Sequence, residues 1–297
     1  MKKIILAVLM CAMLLTLISG CKANGGKKII LGGKAYTEAQ LTAEIMAQLI
    51  EQGSDIKVER KYDMSGAILN EALQSGEIDI YPEYTGGMVM AYLKEEIEPG
   101  TSPEETYRRA KEGYESRFNL IVLESMGFNN TYANAIRTEY AEQHGIVTNS
   151  DLAAFTAELT YGAEHAFYDR LDGYHNMCDT YGFQFKEFFM IDVSLKQQSI
   201  KQGEFDVTNV YTTDGWLNGS GLTVLEDDLN FFPAYYCCPV IRKDTLEKYP
   251  EIGQILSVLK NICTEEDMIY YNNLVDNKEM TIPNAAKQFI EDKGLQK

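Results

Sequence analysis

The chain has 297 residues, 45% of them hydrophobic and 24% charged, enough for one large or two medium folded domains. Its net charge of −17 comes from 44 acidic residues against 27 Lys and Arg. That field repels phosphate backbones and anionic lipid heads, and no basic run offsets it, so nucleic acid is excluded as a partner.

Residues 1–20 begin with Lys2 and Lys3, continue as an apolar stretch and end in small residues before Cys21. This is the pattern of a secretion signal rather than a spanning helix, and it stands outside the fold. The signal carries no acid, so a chain cleaved after Gly20 stands at −19. Ile18-Ser19-Gly20-Cys21 resembles the lipobox of bacterial lipoproteins, which implies diacylation of Cys21 and a lipid anchor on the outer face of the cell membrane. Each methylene of such an anchor contributes about 0.8 kcal/mol. Ordinary cleavage, with Cys21 merely nearby, is the bland alternative. No second apolar segment is long enough to cross a bilayer.

After a linker at 21–27, strands and helices alternate. KKIILGG reads as a buried strand ending at glycine, and Thr37 to Gln40 as a capping box opening a helix that stops at Gly53. DIKVER is a strand, SGAILNEALQSG a helix capped by Ser65 and stopped at Gly76, and EIDIY a third strand. This β-α-β-α-β order predicts an α/β fold with a mainly parallel sheet flanked by helices. A second series follows from residue 131: ELTYGA, a helix through DTYG, EFFMI, a helix from Ser194, and EFDVTNVY. The chain from about residue 243 onward reads as mostly helical.

The two series share a local pattern. Gly76, Glu77, Asp79, Tyr84 and Thr85 match Gly203, Glu204, Asp206, Tyr211 and Thr212, each 127 residues later. Short matches also arise by chance. A true repeat would present one tyrosine from each of two similar lobes, just past a strand's carboxyl end, where open α/β sheets bind ligands.

Sites for chemistry are sparse. There is no G-x-S-x-G elbow, and GGKA at 32–35 lacks both the first glycine and the Ser/Thr of a phosphate loop. His144, His165 and His175 match no metal pattern beyond HNMC at 175–178, so no catalytic residue, cofactor or metal ligand is assigned. Cys178, Cys237, Cys238 and Cys263 allow three pairings; they read as small buried residues, though the compartment permits disulfides.

Tyrosine is the unusual residue, 19 against a single Trp. Most belong to core or surface, but Tyr84 in PEYTGG, Tyr132 in GFNNTYA, Tyr211 in NVYTTDG and Tyr235 in FFPAYY sit among turn residues. Tyrosines converging from loops suit a quaternary ammonium, whose charge attracts ring faces at about 0.5–1 kcal/mol each when exposed and roughly 2 when desolvated.

With KAYTE, DRLDGY and FFPAYYCCPVIR, these motifs resemble the solute-binding lipoproteins of osmoprotectant ABC importers over nearly the whole mature chain. The resemblance implies a type II periplasmic-binding-protein-like fold of two lobes joined by two crossover segments. Lobe I would comprise 28–130 plus 234–297, and lobe II 131–233. It implies an ammonium cage of Tyr84, Tyr132, Tyr211 and Tyr235, and a carboxylate clamp of Lys34 and Arg170. It also implies a monomer that delivers a glycine betaine, proline betaine or carnitine type of solute to a permease with separate ATPase subunits. Two departures bear on the solute: Gly87 stands where relatives often carry Thr, and Tyr236 where many carry a small or amide residue. Lys34 and Arg170 left unpaired in a closed cleft would be costly, which favours a carboxylate-bearing betaine over choline. Choline or ergothioneine on the same fold is the alternative cargo. A lipid-anchored enzyme acting on a small zwitterion, and a purely structural lipoprotein, are the alternatives of another class.

Overall fold

The computed structural model describes residues 26–168, 170 and 172–296; the leader and Cys21 lie outside the described residues. Two five-stranded sheets organise the chain. The first contains β1 (Lys28–Lys34), β2 (Lys57–Met64), β3 (Ile80–Tyr84), β4 (Leu120–Val122) and β10 (Cys237–Arg242), in the order β2-β1-β3-β10-β4. The second contains β5 (Tyr132–Arg137), β6 (Thr160–Ala163), β7 (Glu187–Met190), β8 (Val207–Tyr211) and β9 (Leu222–Val224), in the order β7-β6-β8-β5-β9. In each sheet four strands run one way, and the strand that has just arrived from the other sheet runs against them. The mainly parallel sheets read from the sequence are therefore present, each with one inserted antiparallel strand. This is the two-lobed periplasmic-binding-protein-like fold.

Local chemistry accounts for the elements that frame the cleft. Helix α1 (Thr37–Gly53) buries Leu41, Ile45, Met46, Leu49 and Ile50 in one cluster with Ile29 and Leu31 of β1. Phe289 and Ile290, from the helix at Ile282–Asp292, join the same cluster. The capping box expected at Thr37 does not form. Tyr36 is the N-cap, and the Thr37 hydroxyl donates instead to Asp276 at 2.5 Å, which anchors the C-terminal helices to the start of α1. Helix α2 (Gly66–Ser75) follows the sequence reading: the Ser65 hydroxyl accepts from Ile68 N, and Gly76 at φ 84° closes the helix in the left-handed region. β3 starts three residues later than EIDIY suggests, so Tyr84 is the last residue of the strand rather than just past it. The second sheet packs on its own core around Tyr161, Phe167, Leu152 and Phe232.

The repeat is structural. Asp79 Oδ2 accepts from Ile30 N at 2.7 Å, and Asp206 Oδ2 accepts from Thr160 N at 2.9 Å, so each aspartate joins the equivalent strand pair in its own sheet. Thr85 and Thr212 correspond as closely. The Thr85 hydroxyl donates to Ala234 O at 2.9 Å and accepts from Tyr236 N at 3.1 Å. The Thr212 hydroxyl donates to Asn129 O and accepts from Thr131 N at 3.1 Å. Each threonine thus fastens one of the two segments that cross between the sheets, immediately after the residue that ends a central strand.

Both hydroxyls satisfy backbone groups, the Thr85 bond to Ala234 O buried and the others partly so. Thr85→Val and Thr212→Val should each lower stability by about 1–2 kcal/mol in denaturant unfolding, since an unmade buried hydrogen bond costs that much. Midpoints matching the parent protein would show that the hydroxyls do not hold the crossings.

Candidate functional site

The crossings decide which side chains meet. A chain arriving over the carboxyl edge of the other sheet must run back down, beside that sheet's central strand. Cys237 accordingly pairs with Tyr84 and Tyr132 with Tyr211, each at the upper end of its ladder. The two central-strand tyrosines and the residues entering the returning strands therefore share one rim.

A cavity of about 650 Å³ opens there. Its lining includes Lys34, Tyr84, Gly87, Tyr132, Arg170, Tyr211 and Tyr235, so seven residues singled out in the sequence come together. Tyr236 does not line it. That residue forms an isolated antiparallel bridge with Asn129 and bonds Thr85 through its backbone, so its side chain does not shape the cavity wall. Gly86 is dictated by close approach: a Cβ there would lie 2.8 Å from the Tyr235 ring and 2.9 Å from Ala234 O. A Cβ at Gly87 would meet only Glu83, at an ordinary 3.5 Å.

The rings are not four separate walls. Tyr132 and Tyr211 stack with centroids 4.6 Å apart and planes at 25°, and their hydroxyls bond at 2.9 Å. Tyr84 is buried and donates its hydroxyl to Glu38 at 2.5 Å. Tyr211 is the open member, 44% exposed. Burial pushes the Tyr235 phenol up to about 12 and those of Tyr84, Tyr132 and Tyr211 above the ordinary range, so all four are neutral at pH 7.

Both expected clamp cations already have partners. Lys34 Nζ pairs with Glu83, whose side chain is fully buried, and lies 5.2 Å from the Tyr84 ring centre. The Arg170 guanidinium forms a fork with Asp172 at 2.6 and 2.7 Å and lies 5.2 Å from the Tyr132 ring centre. The bond to Asp172 raises the Arg170 pKa, outweighing burial. In this ligand-free arrangement neither cation is solitary, so the cost of an unpaired charge is met without a solute. Neighbouring acids supply that charge, so the cost of unpaired cations does not by itself choose between a betaine and choline.

Sequence reasoning missed the acids of the cavity. Glu38, Glu83, Asp214 and Asp276 all line it. Three of them stand inside motifs already noticed, KAYTE, PEYTG and VYTTDG, but acids are too common in this chain for composition to mark them. Asn130, Thr213 and Asn272 line the cavity too. Asn272 comes from the helix at Glu265–Asp276 and carries no local signal at all. No group of His, Cys, Asp or Glu suited to a metal occurs among the described residues.

Residues 27–292 match the family of substrate-binding domains of the ABC-type glycine betaine transport system. The chain belongs to this family. It is 33% identical over 271 residues to the ergothioneine transport permease/ergothioneine-binding protein EgtU of Helicobacter pylori, covering 91% of this chain but only 48% of that longer protein. It is 32% identical to the carnitine transport binding protein OpuCC of Listeria monocytogenes, covering 92% of this chain and 89% of that one. A crystal structure of a glycine betaine/carnitine/choline ABC transporter superposes with a TM-score of 0.86 at 26% identity, over 91% of this chain and 99% of the other. Members of the family are substrate-binding transport proteins.

The buried Lys34–Glu83 pair generates a direct expectation. Glu83 also accepts from Tyr84 N at 2.8 Å and Tyr81 OH at 3.1 Å. Glu83→Ala should cost about 3 kcal/mol or more, because it strands a half-buried ammonium together with two buried donors. Urea unfolding measures it, and a cost below about 1 kcal/mol would contradict a compensated pair.

Proposed function

We propose that the protein captures a small quaternary-ammonium solute outside the cell membrane and delivers it to an ABC permease. The observation that carries this reading is the convergence of Tyr84, Tyr132, Tyr211 and Tyr235 on one cavity at the junction of the two sheets. A methylated ammonium has charge but no hydrogen-bond donor. Neutral phenol faces attract it while giving up few hydrogen bonds of their own. Relatives bearing the names carnitine, ergothioneine and glycine-betaine binding protein support the solute class. A solute carboxylate would be met by Lys34 and Arg170, each sharing itself between the ligand and its present acid. That exchange makes the cavity tolerant of both betaines and choline. Contacts to both lobes would favour a closed arrangement over an open one.

Isothermal titration calorimetry with glycine betaine, carnitine, ergothioneine and choline tests the reading. At least one solute should bind, and Tyr→Ala at 84, 132, 211 or 235 should weaken it by roughly tenfold or more per ring. Arg170→Ala should weaken the carboxylate-bearing solutes more than choline. Undiminished affinity in all four tyrosine variants would remove the cage, and equal losses for choline and betaine would remove the role given to Arg170.

We further propose that Cys21 carries the lipid anchor implied by Ile18-Ser19-Gly20-Cys21. Among the described residues no helix is long and apolar enough to cross a membrane. Cells fed radiolabelled palmitate should label the parent protein and not Cys21→Ala, with the variant recovered in the medium. A labelled Cys21→Ala protein would refute the assignment.

A further inference from the structure

We propose that Glu38 is the counter-charge for the solute's ammonium, acting through the phenol of Tyr84, and that it sets the preference for a charged head group over a neutral one of equal shape. The inference rests on the tyrosine-cage reading and adds to it a residue outside the cage.

Glu38 lies in the first turn of α1, 3% exposed, and lines the cavity. Its Oε1 accepts from Tyr84 OH at 2.5 Å and from Asn130 Nδ2 at 2.7 Å, and its Oε2 from Asn272 Nδ2 at 3.1 Å. The Thr213 hydroxyl bonds it as well. The orientation of Asn272 is settled by its neighbours. Nδ2 faces two acceptors, Glu38 Oε2 and Thr213 O at 3.0 Å, so the nitrogen must stand there. Among the described residues every partner of the carboxylate is therefore a neutral donor. Burial raises its pKa and outweighs these four bonds, which with the amino end of a 17-residue helix act in favour of the ionised form.

Lys34 and Arg170 offer no compensation to Glu38, because Glu83 and Asp172 engage them. When ionised, a buried carboxylate held among the described residues only by neutral groups puts one uncompensated negative charge in the cavity lining. Its shortest bond leads into a cage ring. A phenol that donates strongly to a carboxylate becomes richer in electrons, and its face attracts a cation more strongly. The same partners tie Tyr84, the crossing segment at Asn130 and Thr213 beyond β8 to one group. The charge is thus fixed in place before any solute arrives.

The test compares isosteres that differ only in charge: choline against 3,3-dimethylbutan-1-ol, and glycine betaine against 3,3-dimethylbutanoate. Affinities are measured for the parent protein, Glu38→Gln, Tyr84→Phe and the double variant. The parent should prefer the ammonium member of at least one pair, and Glu38→Gln should cut that preference by roughly tenfold. Tyr84→Phe keeps the ring but breaks the bond to Glu38, so the preference should fall by about threefold. The double variant should lose no more than Glu38→Gln alone. Equal weakening of both members of a pair by Glu38→Gln would mean a merely structural role and would overturn the proposal. An unchanged preference would overturn it too. Should Glu38→Gln fail to fold, an undiminished preference in Tyr84→Phe is sufficient to reject it. A parent protein that binds choline or betaine without preferring the charged isostere would instead bring down the cage reading.

Discussion

Two chain crossings, each delivering a strand over the carboxyl edge of the opposite sheet, determine what the cleft contains. Because each arriving strand must descend beside a central strand, Tyr132 is set opposite Tyr211 and Cys237 opposite Tyr84. Backbone hydrogen bonding therefore gathers residues as far apart in the chain as Tyr84 and Cys237. The threonine after each central-strand tyrosine then bonds the segment that crosses there. Ring position and crossing geometry are coupled through a single peptide unit on each side.

Electrostatics divides the cavity into settled and unsettled charge. Lys34 with Glu83 and Arg170 with Asp172 are settled pairs, and for the buried Glu83 the pairing avoids the cost of a solitary ion. Among the described residues Glu38 is bonded by neutral groups only. A site lined by more acids than bases suits a cationic head group first, and any carboxylate at the other end second. The overall charge of −17 points the same way, though it acts over the whole surface and selects no site.

Much of the fold was legible locally. α2, from its serine cap to Gly76, needed no tertiary information, since a hydroxyl and a left-handed glycine are satisfied within one turn. The paired Gly-Glu-x-Asp-x motifs announced two similar lobes because each aspartate has the same local task, bonding the amide of a neighbouring strand. Thr37 misled because a free hydroxyl at a helix start has two outlets. Here an aspartate 239 residues away is the stronger acceptor.

By itself the sequence determined the alternation of elements, the repeat, and the four tyrosines flanked by turn residues, with Lys34, Gly87 and Arg170 added by motif resemblance, since turn chemistry and motif order are properties of neighbouring residues. Only the tertiary structure decided that Tyr132 and Tyr211 stack on each other, that Tyr236 stands off the cavity wall, and that the two cations are already paired. It alone brought Glu38 and Asn272, 234 residues apart, to one wall. Charge compensation depends on distances through space, and a chain of 44 acids offers too many candidate partners for order along the sequence to choose among them.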